Sequence, residues 1–141
     1  MTPSQHFMAQ RLRRTEADFA SAAQRVSRVT DLALLRNAGH VSVPVELRAA
    51  VRSLPGHRRL QSALTLRAEQ LVDRDLKALD ALTPADGQSP EDFVIQVRQE
   101  FGKMRDMRWH HLRGDFSQVL HQACRRAEEI IARAHRAAKA Q

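Results

Sequence analysis

Arginine is the residue type whose spacing promises chemistry in this chain. Arg11, Arg14, Arg25 and Arg28 recur so that a helix would set them in one stripe, with Asp18 and Ser21 between them. Arg58 and Arg59 stand together at the start of a second apolar repeat. Arg98 and Arg105 share a helical face, Arg108 and Arg113 follow around Trp109, His110 and His111, and Arg126, Arg133 and Arg136 line up further on. A guanidinium held on a rigid helix donates charge-assisted, often bidentate hydrogen bonds to phosphate oxygens, so these stripes suit a nucleic-acid backbone, DNA or RNA. The expected contacts are Arg11, Arg14, Arg25, Arg28, Arg58, Arg59, Arg105, Arg108, Arg113, Arg126 and Arg133. Aromatic residues make up only 4% of the chain, too few for a base-stacking platform, and no zinc-finger or RNP pattern occurs, so backbone rather than base recognition is expected.

The charge is also segregated. Lys and Arg number 23 against 16 Asp and Glu, which leaves +7, and 20 of the cations are Arg. Residues 1–60 carry +6, residues 61–100 carry −4 and residues 101–141 carry +5. The competing reading is a solvated face paired to the acidic middle, which by its net charge neutralises about four cations at most.

Other chemistries find little support. His110 and His111 point about 100° apart on a helix. His121 follows ten residues later, and no His-x-x-x-His or Glu-x-x-His pair gathers carboxylates around a metal. Cys124 lies near an apolar helical face without a placed base, Asp73 and Asp75 face different directions, and Asp73 with Lys77 reads as an i, i+4 surface pair. Trp109 reads either as a helix-packing residue or as an interface contact. No P-loop, dinucleotide turn or nucleophile elbow occurs. The expectation is a protein without catalytic residues, metal or cofactor. Its apolar runs are too short for a membrane span and its N-terminus lacks a secretory core, so a cytoplasmic protein with no membrane partner is expected.

The elements that must position these arginines read as helices. Five Gly, five Pro, no Tyr and one Cys, with Ala, Leu, Arg, Gln and Glu abundant, favour an all-α fold held by apolar burial. Thr2-Pro3-Ser4-Gln5 has capping-box spacing and Gly39 is the stop. Between them Met8, Leu12, Thr15, Phe19, Ala22, Val26, Val29 and Ala33 trace one seam over about 35 residues, roughly 50 Å of helix. A helix of two to three turns follows Pro44, another runs over 57–82, and 83–90 is a flexible loop with Pro84, Gly87 and Pro90. Ser89 caps a third long segment. Gly114-Asp115 suggests a break or kink at 113–115, although one continuous helix also fits, and residues 135–141 are expected to fray. The expectation is a single elongated bundle of four to five helices over 1–141, its long first helix open to self-association or to another subunit.

Two segments resemble known families. Residues 105–116, Arg-Asp-Met-Arg-Trp-His-His-Leu-Arg-Gly-Asp-Phe, are similar to the Arg/Trp-rich late helix of the helical small subunits of CRISPR effector complexes. That resemblance implies a non-catalytic subunit lying along a guide–target path and touching its backbone. Residues 40–48, His-Val-Ser-Val-Pro-Val-Glu-Leu-Arg, resemble the strand-to-helix step of ribbon-helix-helix repressors and imply a dimeric plasmid or phage DNA-binding regulator. A helical adaptor that grips an acidic protein partner is the remaining expectation.

Overall fold

The computed structural model describes residues 2–140. Among these residues are six α-helices: α1 (Pro3–Ser27), α2 (Leu35–Ala38), α3 (Arg48–Val51), α4 (Pro55–Asp80), α5 (Pro90–Met107) and α6 (Ser117–Lys139). They include no strand. The all-α class therefore holds, and the helix number exceeds four to five because two connectors each close a helix of four residues. Residues 40–44, where a ribbon-helix-helix strand would lie, carry no regular element and lead into a 3-10 turn at Val45–Leu47. Contacts gather into two compact units, Met1–Arg67 and Ala68–Gln141, with α4 running through both.

In the first unit, α1 starts as a full capping box. The Thr2 hydroxyl accepts from the Gln5 N–H at 3.1 Å and the Gln5 side chain accepts from the Thr2 N–H at 2.8 Å, with Pro3 where its missing N–H costs nothing. Thr15, Phe19, Ala22 and Val26 bury one face of α1, and Leu32, Leu35, Leu47, Val51 and Leu60 complete the core. Thr15 Oγ1 donates to the Arg11 carbonyl at 2.9 Å, so the one hydroxyl in this core is satisfied by its own helix.

The expected 35-residue first helix ends instead at Ser27, giving 25 residues, about 38 Å. Val29 and Thr30 are both β-branched, and the Asp31 side chain accepts from the Ala33 N–H at 3.0 Å, capping a new 3-10 turn at Leu32–Leu34. The Val29 carbonyl freed by the break accepts from Arg67 Nε at 2.7 Å. Breaking there folds Leu32 and Leu35 into the core, whereas Leu34 stays more than half exposed.

In the second unit, Ala68, Leu71, Val72, Leu76 and Leu79 of α4 share a core with Val94, Val97, Phe101 and Met104 of α5 and Val119, Ala123 and Ala127 of α6. The loop before α5 turns on Gly87 at φ 76°, and the Ser89 hydroxyl then accepts from the Asp92 N–H at 3.1 Å. Glu91 and Asp92 occupy the first turn of α5, where the helix dipole favours them.

The break expected at 113–115 is wider. Helix α5 stops at Met107, a 3-10 turn spans Trp109–Leu112, and Gly114 takes φ 88° before α6 begins at Ser117. The residue before α6 is Phe116, which makes no side-chain capping bond. Burial explains the longer break: Trp109, Leu112 and Phe116 all turn into the core from the segment between the helices. Helix α6 continues to Lys139 through most of the segment expected to fray, and Gln141 lies outside the described residues.

Candidate nucleic-acid interface

The two units differ sharply in charge. Residues 1–67 contain eleven Arg and no Lys against four carboxylates, a net of +7. Residues 68–141 contain twelve cations and twelve carboxylates, a net of zero. The whole excess of the chain therefore resides in the first unit.

In the second unit many of these opposite charges also meet. Arg126 meets Asp73 at 2.8 Å and Arg133 meets Asp80 at 3.2 Å. Both pairs span the same 53 residues, so α6 runs parallel to α4 with the two helices in register over a heptad. Lys77 shares Asp73 at 3.0 Å, and Arg108 reaches the buried Asp75 at 3.1 Å. Arg105 bonds its neighbour Asp106 at 3.0 Å and lies over the Phe101 ring at 5.3 Å. Arg113 is exposed and also engaged within the fold.

The first unit engages fewer of its cations. Arg11 bonds Glu46 at 3.1 Å, tying α1 to the 3-10 turn before α3, and packs over Phe7. Arg25 donates to the carbonyls of Ala38 at 3.2 Å and His40 at 3.4 Å, closing the C-terminal end of α2. Arg14, Arg28, Arg58 and Arg59 are exposed, and their side chains form no ion pair or hydrogen bond among the described residues. Three arginines outside the expected contacts, Arg13, Arg48 and Arg52, are exposed in the same way. Of the four carboxylates in this unit, Glu46 holds Arg11 and Asp31 caps a turn.

Local fields follow these contacts. The Asp73 carboxyl is held below its ordinary range by its hydrogen bond from Arg126 and then by that from Lys77. Glu46 is lowered by a backbone hydrogen bond and then by Arg11, and Asp106 by the hydrogen bond from Arg105. Arg105 is correspondingly raised by Asp106. Burial pushes the Cys124 thiol up, with Arg105 acting against it.

Trp109 and the two histidines beside it lie in the turn after α5. Trp109 is fully buried and its Nε1–H donates to Asp75 Oδ2 at 3.0 Å. The His110 and His111 rings lie 3.9 Å apart, and His110 Nδ1 is buried without a hydrogen-bond partner among the described residues. No group of three metal-ligating side chains comes together among those residues, and none of their helices is long and apolar enough to cross a membrane.

Sequence reasoning missed Asp75. Its signal was its place in the stripe Val72, Asp75, Leu76, Leu79, where a carboxylate on an otherwise apolar face needs a buried donor. It also missed Glu16, whose carboxyl reaches the first turn of α4 beside Gly56. No family model, curated protein or solved structure matches the chain.

Proposed function

We propose that the first unit is a basic module that holds the sugar–phosphate backbone of a nucleic acid, without reading its bases, inside a larger nucleoprotein assembly. The observation that carries this reading is the concentration of the entire +7 in 67 residues whose cations are all arginine. Arg14 and Arg28 on α1 and its C-terminal edge, with Arg58 and Arg59 on α4, retain unpaired guanidinium groups, and each is free to donate two parallel hydrogen bonds to a phosphate. The second unit has less to offer. A phosphate at Arg126 or Arg133 would displace a carboxylate and leave that carboxylate beside it. In the segment that resembles CRISPR small subunits, Trp109 is buried and Arg108 is bonded to Asp75, so the reading is carried by other residues. What supports the reading is the first unit alone.

The test is binding of mixed-sequence DNA and RNA between about 50 and 300 mM salt. Affinity falls steeply with salt in the unaltered chain, and replacing Arg14, Arg28, Arg58 and Arg59 by Gln lowers the log–log slope by about one for each phosphate that is no longer neutralised. Absence of binding at the lowest salt, or a slope unchanged in the quadruple variant, overturns it.

A second reading, self-association through α1, rests on its first three turns. No residue of α1 before Thr15 is buried, and Phe7 is 58% exposed on the same stretch as Met8 and Leu12. A sedimentation coefficient that rises with concentration, and no longer does so in Phe7→Glu, is the result this reading requires.

A further inference from the structure

Outside the arginine surface, the feature with the most unassigned chemistry is an open cleft in the second unit of about 410 Å³, between the first turns of α5 and the last turns of α6. Its cause is a mismatch in side-chain size. Helix α6 offers Ala138 opposite Val94 and Ile95 of α5, and an alanine cannot fill the groove that a Leu or Phe would close. Ile95 remains 52% exposed as a result. The lining is mostly apolar, and the volume lies within the range of small-ligand sites.

The charges at its edge are unequal. Arg98, His135 and Lys139 line the cleft with a single carboxylate, Glu91. Arg98 and Lys139 form no ion pair among the described residues, so two permanent cations stand beside an apolar groove with their donors free. A ligand that satisfies both features has an apolar body and an anionic head.

We infer that this cleft binds a single-chain anionic amphiphile, its alkyl body against Val94, Ile95 and Ala138 and its carboxylate or phosphate head on Arg98 and Lys139. The site is independent of the nucleic-acid reading, since none of its residues belongs to the basic unit. A cationic amphiphile would set like charges together, and an uncharged one would leave the two cations unused.

The experiment is an NMR titration of the full chain with decanoate, decyl phosphate, decanol and decylamine, each below its micelle concentration. Saturable shifts at Ile95 and Ala138 are expected with decanoate and decyl phosphate, at affinities about tenfold or more above that for decanol. If only one of the two anions binds, the head group is thereby assigned. Ala138→Phe fills the groove and abolishes the shift at Ile95 while the urea midpoint stays in place. Arg98→Gln with Lys139→Gln, both on exposed positions, brings the anions down to the affinity of decanol whether or not the Phe variant folds. Equal affinity for all four compounds, shifts spread along the whole chain, or undiminished anion binding in the Gln pair overturns the inference.

Discussion

Asp75 accepts the indole hydrogen bond of Trp109 at 3.0 Å in a site where the carboxylate is 4% exposed and the ring is fully covered. The other oxygen of Asp75 takes Arg108 at 3.1 Å, so one carboxylate ties the 3-10 turn after α5 to α4. Removing it in Asp75→Ala leaves a buried indole N–H without an acceptor, a loss of about 1–3 kcal/mol for that group alone. Asp75→Asn keeps an acceptor and surrenders the charge. Urea unfolding followed by Trp109 fluorescence, the only Trp in the chain, is expected to rank the native protein above Asn and Asn above Ala. Equal loss in the two variants would show that the indole bond is not what stabilises this joint.

Arginines that look alike in sequence separate into two behaviours. Arg126→Gln removes one of the two cations on Asp73 and is expected to leave stability almost unchanged, because the pair is solvent-exposed and screened and Lys77 remains, while the salt dependence of nucleic-acid binding stays intact. Arg58→Gln with Arg59→Gln lowers the salt slope, again without moving the melting temperature. Melting curves and filter binding on the same preparations distinguish the two classes, and an Arg126→Gln protein with a reduced slope contradicts the division.

The acid limb of stability follows from the depressed carboxyls. A carboxyl whose folded value lies below its unfolded one contributes stability above the unfolded value and loses it as pH falls through the folded one. For Asp73, Asp106 and Glu46 that window opens near pH 3.8 for the aspartates and 4.5 for the glutamate and extends downward. Asp73→Asn is therefore expected to melt slightly lower at neutral pH and to show a shallower decline on acidification. Calorimetry from neutral pH down through this window checks it; parallel declines in the two proteins would remove Asp73 from the account.

Cys124 is half-buried, and burial raises its thiol above the ordinary 9.0. Only the thiolate attacks an alkylating reagent, so reaction at mildly alkaline pH is expected to be slower than for a free cysteine and to regain the free rate in denaturant. A native rate equal to that of the unfolded chain would show that the thiol is neither shielded nor shifted.

These relationships were legible to different degrees. The caps at Thr2 and Ser89 and the turn at Gly87 are local, since a hydroxyl and an N–H three residues apart settle them, and sequence alone placed them. The end of α1 was only partly local. Asp31 caps a new turn within the segment, but the Val29 carbonyl left by the break is satisfied by Arg67, thirty-eight residues away, and no spacing within 26–33 carries that contact. Charge segregation was visible, but which basic segment would be neutralised was not. That outcome follows from the heptad match of Asp73 and Asp80 with Arg126 and Arg133, a pattern on two helices that becomes meaningful only when they are known to lie side by side.

Gly56 offers the sharpest test of how the first unit is joined. A Cβ placed on it would stand 2.7 Å from the carboxyl carbon and both oxygens of Glu16, a side chain of α1 lying over the first turn of α4. A carboxylate at a helix N-terminus is worth about 0.3–1 kcal/mol at exposed positions and up to about 2 when partly buried. Gly56→Ala alone gains about 1 kcal/mol of helix propensity but must push that carboxylate away, so the two effects oppose each other. In a Glu16→Ala background the obstruction is gone and only the propensity gain remains. The cycle therefore predicts that Gly56→Ala is neutral or destabilising in the native chain and stabilising in the Glu16→Ala chain, with a coupling of about 1 kcal/mol between the sites. Urea midpoints of the four proteins measure it, and additive effects would mean that Glu16 does not rest on α4.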